Sequence, residues 1–102
     1  HTQKLDAPSG TAITLADGII ANSTKKNWAL NKSTDVSEIP ITSKRISNTT
    51  GTHTVTYESK ADTIEIQHTA HNRNGFSLGA IIAAEFLIGK TGVFTMKDVV
   101  GL

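Results

Sequence analysis

Two segments joined by a short link alternate apolar and polar side chains along their length, and this period constrains the chain more than any other feature. His53, Val55 and Tyr57 alternate with Thr54, Thr56 and Glu58; after Ser59 to Asp62, Ile64, Ile66 and His68 alternate with Thr63, Glu65 and Gln67. A period of two places successive side chains on opposite faces of a strand, and the short link makes the pair an antiparallel hairpin. One of its faces is apolar and asks for a helix to cover it. The other carries Thr, Glu and Gln.

Two helical patterns flank this hairpin. Pro8 favours extended geometry at Ala7 and suits a helix entrance, Ser9 is a natural N-cap, and Ala12, Leu15, Ala16, Ile19 and Ile20 recur at helical spacing, ending near Ala21 or Asn22. Phe76 to Ile88 is apolar on nearly every side and rich in Gly79, Ala80, Ala83 and Ala84, which reads as a buried helix packed on several faces. Gly89 then suits a left-handed C-terminal residue and Lys90 complements the dipole. Ser23 to Pro40 is polar and irregular, with Trp28, Ala29 and Leu30 as its anchor. Ile41 to Ser47 reads as a strand, followed by a turn at Asn48-Thr-Thr-Gly51; the tail from Gly92 reads as strand-forming first and helical at its end. The fold class expected is α+β: one mixed, largely antiparallel sheet, with the Thr11 and Phe76 helices packed on one face.

With 102 residues, 37% of them hydrophobic, the chain suits one domain spanning 1–102. Ten basic and nine acidic residues are scattered along it, for a net charge of +1, and so favour neither nucleic acid nor membrane. No cysteine is present, which removes disulfides, thiolate zinc sites and cysteine nucleophiles and fits the cytoplasm. The longest apolar stretch is too short to span a bilayer. The chain starts at His1 without an initiator Met and is expected to begin within a longer protein.

Chemistry concentrates in His1-Thr-Gln-Lys4-Leu-Asp-Ala-Pro-Ser-Gly10-Thr11, where an imidazole and a cation precede a glycine-containing helix start. Free N–H groups at Gly10 and Thr11, the positive end of the helix dipole and the Lys4 ammonium together suit a carboxylate or phosphate. The plainer reading of Asp6-Ala-Pro-Ser is a capped helix entrance. His53 and His68 read as sheet histidines with satisfied partners, and His68-x-x-His71 is poor metal geometry, so no metal is expected.

Lys4-Leu-Asp-Ala-Pro-Ser-Gly-Thr-Ala12 closely resembles the signature of the dihydrodipicolinate reductases, and the likeness extends downstream. Gly51-Thr-His53-Thr-Val55, Ile64-Glu-Ile-Gln-His68-x-Ala70, Arg73-x-x-Phe76-x-x-Gly79-Ala80 and Gly89-Lys90…Gly92-x-Phe94-x-Met96-x-Asp98-Val99 resemble the family's later segments in order. Thr52 stands where the family commonly has Glu or Asp. The resemblance implies the substrate-binding and oligomerisation domain of an oxidoreductase of the diaminopimelate route to lysine, reducing a cyclic dicarboxylate with NADPH or NADH. It implies Lys4 as catalytic proton donor and His1, Gly10 and Thr11 as substrate-binding. His1 would be the second of two adjacent histidines, the first being a general acid/base. Arg73 would lie near the cofactor, which an N-terminal Rossmann-like domain would chiefly hold, since no glycine-rich dinucleotide turn occurs here. Homotetramers formed by packing the polar sheet faces are implied too. A different class of function, a non-catalytic anion-binding or assembly module of the same fold, stays open on these residues.

Overall fold

The structure, a computed structural model, describes residues 4–102. The chain divides into two compact units, His1–Thr69 and Ala70–Leu102.

In the first unit the chain enters helix α1 (Gly10–Ala21) through Ser9, whose backbone is extended at φ −68° and ψ 155° and whose Oγ accepts from the Ala12 N–H at 3.2 Å. That bond satisfies one of the amides that a helix start leaves without an internal partner, so the entrance forms where the Pro8-Ser9 signal places it. Asn22 closes the helix, its Nδ2 donating to the Gly18 carbonyl at 2.9 Å. Pro8 and Ala16 are buried. They fasten the helix entrance and the middle of its inward face.

Strands β1 (Asn27–Leu30) and β2 (Glu38–Ile41) pair in parallel, Trp28 opposite Ile39 and Leu30 opposite Ile41, and α1 packs against β1. This departs from the expected irregular stretch over 23–40 and from a strand over Ile41 to Ser47, of which only Ile41 is in a strand. Four-residue strands are too short for a period of two to stand out from the polar residues around them. Between them, Asn31 adopts a left-handed φ of 68°, and the Asp35 carboxylate accepts from the Ser37 N–H and hydroxyl, each at 2.8 Å. The bend is local and polar, a conformation these side chains support well.

The hairpin forms as read, from β3 (Gly51–Glu58) and β4 (Thr63–Ala70). Thr52 with Thr69, Thr54 with Gln67 and Thr56 with Glu65 make side-chain hydrogen bonds across it, and the Ser59 N–H donates to the Asp62 carbonyl at 2.9 Å. Each step of two residues along one strand meets a step of two back along the other, so the pairing is antiparallel and His53 lies opposite His68. Gly51, His53 and Val55 are half-buried while Thr52, Thr54 and Thr56 are exposed. The leading turn is also as expected, with Asn48 at φ 59°. Among the described residues the strands make two separate two-stranded sheets, rather than the one sheet expected. Helices and small sheets together keep the class α+β.

In the second unit, α2 (Asn74–Phe86) and α3 (Met96–Val100) are in contact. Phe86 meets Phe94 edge-to-face with centroids 5.5 Å apart, and the Lys90 ammonium lies 4.3 Å from the Phe86 ring centre. Gly89 has the left-handed φ of 73° expected after the helix. No residue of α2 is buried in this chain, and Ile81 and Ile82 are 57% and 45% exposed, so the reading of a fully packed helix is corrected. The unit's remaining residues include one short helix and cannot surround an all-apolar cylinder. No helix among the described residues is long and apolar enough to cross a membrane.

Candidate anion-binding site

Segment 4–9 has no regular secondary structure and delivers its residues to the start of α1. The first free turn of that helix is unequally used. Ile13 donates to the Ser9 carbonyl at 3.0 Å and Ala12 to the Ser9 hydroxyl, whereas the Gly10 and Thr11 N–H groups have no hydrogen-bond partner among the described residues. Both residues are exposed, and no atom lies within 4 Å of where a Cβ would sit on Gly10. The two amides are therefore open to a ligand oxygen at the positive end of a 12-residue helix.

Lys4 is half-buried, and its Nζ lies 3.7 Å from the Asp6 carboxylate. A carboxylate is thus already beside this ammonium in the molecule's own chain. Asp6 is also held through its backbone: Arg45 Nη2 donates to the Asp6 carbonyl, while Arg45 Nη1 donates to the Lys44 carbonyl at 3.1 Å. Neither of these neighbours was legible beforehand. Arg45 sits 39 residues further along, and no local pattern announces a contact at that separation.

His53 is a second residue whose setting the sequence did not reveal. Its imidazole is held below the ordinary histidine value of 6.5, first by burial, then by His68 opposite it, then by the charge of Lys4. The strand histidine and the lysine before the helix therefore share one electrostatic neighbourhood, and both β-strand histidines lie on the hairpin's apolar face. Among the described residues no group of three or more His, Asp or Glu side chains is placed to hold a metal ion.

The other residues read from the sequence fall differently. His1 lies outside the described residues. Arg73 belongs to the second unit, where it is the N-cap residue of α2 and its carbonyl accepts from the Ser77 N–H at 3.0 Å and the Ser77 hydroxyl at 3.2 Å. An open cleft of about 390 Å³ lies elsewhere in the first unit, lined by Thr14, Leu15, Gly18, Ile19, Asn22, Ser23 and Tyr57. Its lining has no charged side chain, so it does not compete with the Lys4 region for an anion.

Comparison with known proteins bears on what this arrangement belongs to. The family model described as "Dihydrodipicolinate reductase, C-terminus" matches residues 1–100. The 4-hydroxy-tetrahydrodipicolinate reductase of Christiangramia forsetii is 62% identical over 100 residues, covering 97% of this chain and 41% of that protein. The reductase of the same name from Methanosarcina mazei is 40% identical over 106 residues, covering all of this chain and 40% of the relative. That of Clostridium novyi is 38% identical over 107 residues, covering 98% and 42%. The chain thus spans about two fifths of the length of the curated relatives it matches. With the family model matched over residues 1–100 and these identities along nearly the whole chain, the chain belongs to the family of dihydrodipicolinate reductase C-terminal domains.

Proposed function

We propose that this chain is the substrate-binding and assembly domain, over residues 1–102, of an NAD(P)H-dependent 4-hydroxy-tetrahydrodipicolinate reductase, and that the start of α1 holds a carboxylate of its cyclic substrate. What supports the reading is that the segment leading into α1 carries an ammonium already beside a carboxylate, and that the Gly10 and Thr11 amides have no partner among the described residues. Each backbone N–H donates to one carboxylate oxygen without moving, and the Lys4 charge offsets the ligand's charge. The Asp6 carboxylate competes for Lys4, so an incoming dicarboxylate takes over a contact the loop makes for itself. His1 completes the substrate contacts in this reading. Lys4, carrying a proton on Nζ, is the catalytic proton donor.

The described residues do not suit a nicotinamide dinucleotide. Such sites need a strand, a glycine turn and a helix in a parallel crossover. Here the one parallel pair, β1 and β2, is connected through residues 31–37, which contain neither a glycine nor a helix. Cofactor binding is therefore assigned mainly to an N-terminal Rossmann-like domain, with Arg73 as the residue of this chain that reaches towards it. Assembly into a homotetramer through the polar face of the hairpin belongs to the same reading, supported by the exposed Thr52–Thr69, Thr54–Gln67 and Thr56–Glu65 pairs. A chain without cysteine accords with a cytoplasmic setting.

Calorimetry with pyridine-2,6-dicarboxylate tests the site. The chain should bind it weakly, and Lys4→Ala should reduce affinity by at least roughly tenfold, the scale of one charge-assisted contact. Equal binding by that variant sinks the assignment of Lys4.

A further inference from the structure

We propose that Arg45 is a positioning residue for Lys4, fixing through the Asp6 carbonyl the segment from which Lys4 reaches an anion; this rests on the substrate-site reading of Lys4. Residues 4–7 make no helix or strand, so their backbone groups are not ordered by a ladder and need partners from elsewhere. Towards the helix the segment is fastened twice, by the burial of Pro8 and by the Ser9 cap. On the Lys4 side the long-range fastening is the Arg45 guanidinium.

Arg45 suits this role because its donors are rigidly forked. One nitrogen bonds the Lys44 carbonyl beside it, which orients the planar group, and another is then directed at the Asp6 carbonyl. Asp6 becomes the hinge of the arrangement: its carbonyl is held by Arg45, and its carboxylate lies 3.7 Å from the Lys4 ammonium. Arg45 uses the carbonyl and leaves the carboxylate to Lys4, so the two cations do not compete for one acceptor. A lysine at position 45 has a single nitrogen and cannot hold both carbonyls in the same planar fork.

The test follows pyridine-2,6-dicarboxylate binding by the Gly10 and Thr11 amide shifts in NMR titrations of the full chain. Arg45→Met should weaken binding roughly tenfold, and Arg45→Lys by less, with circular dichroism unchanged. Combined with Lys4→Met, the Arg45→Met loss should disappear, because a residue acting through Lys4 has nothing left to position. Losses that multiply instead would show Arg45 meeting the ligand directly and would overturn the proposal, as would wild-type affinity in Arg45→Met. A ligand-free readout separates this from the substrate reading. The His53 imidazole senses Lys4, so its titration midpoint should rise in Arg45→Met; an unchanged midpoint also overturns the positioning role. Failure of the wild-type chain to bind the dicarboxylate strikes the substrate reading, and the His53 midpoint still decides whether Arg45 places Lys4. If Arg45→Met does not fold, Arg45→Lys serves for every comparison.

Discussion

Lys4 and His53 show how a residue's chemistry is set by neighbours distant in sequence. Lys4 stood out by its place before a glycine-containing helix start, a local pattern, and the structure adds the Asp6 carboxylate 3.7 Å from its ammonium. His53 read as an ordinary strand histidine, and its alternation with Val55 and Tyr57 does place it on the inner face. What alternation could not supply is the charge beside it. With its pKa lowered by burial, by His68 and by Lys4, His53 favours the neutral imidazole when folded. Its contribution to stability is full above the ordinary value near 6.5 and is lost as pH falls through the lower, folded value. Stability should therefore decline with acidification below about pH 6.5, and His53→Gln should flatten that part of the profile in chemical denaturation. An NMR titration of the His53 ring should place its midpoint below the ordinary one and move it upwards in Lys4→Met. No movement would remove Lys4 from the histidine's neighbourhood.

At the scale of elements, success followed the strength of local signals. α1 begins and ends where its cap residues require, and the hairpin has the strands its alternation defines. Ser9→Ala should cost about 1 kcal/mol by removing the Ala12 acceptor, read as a lower denaturation midpoint at unchanged slope; no shift would show the cap to be idle. The start of α3 is held differently. The Asp98 carboxylate accepts from the Thr95 N–H at 2.6 Å and from the Thr95 hydroxyl at 2.8 Å, and these bonds, the backbone one first, keep it below the usual carboxylate value. That support is present above the ordinary value of 3.8 and is lost as pH falls through the folded one. The Thr95 amide shift should accordingly titrate with a midpoint under 3.8, and a midpoint at the ordinary value would contradict the contact. β1 and β2 escaped notice because their four-residue strands carry too few alternations; Pro40 lies within β2, a strand of a two-stranded sheet, where an edge tolerates it.

For the whole molecule, the hairpin's outer face and α2 matter most. The outer face is a ladder of hydroxyl, amide and carboxylate groups that satisfy one another across the strands, and its polarity alone would suggest water. If it forms the proposed assembly interface, light scattering should show species larger than a monomer as concentration rises, and Thr54→Arg should reduce them. A monomer at all concentrations would count against assembly through this face. By itself the sequence determined the α+β class, the entrance of α1, and the hairpin and its two faces. Each depends on interactions within a few residues, whose geometry repeats with the backbone's own period. Only the tertiary structure decided the parallel pairing of β1 with β2, the exposure of α2, the charge near His53, and the Arg45 hold on Asp6. Those depend on which distant segments meet, and the 39 residues between Arg45 and Asp6 leave no periodic trace of their encounter. The groups proposed to hold an anion were legible as a list; the contacts of Asp6 with Lys4 and Arg45 were not.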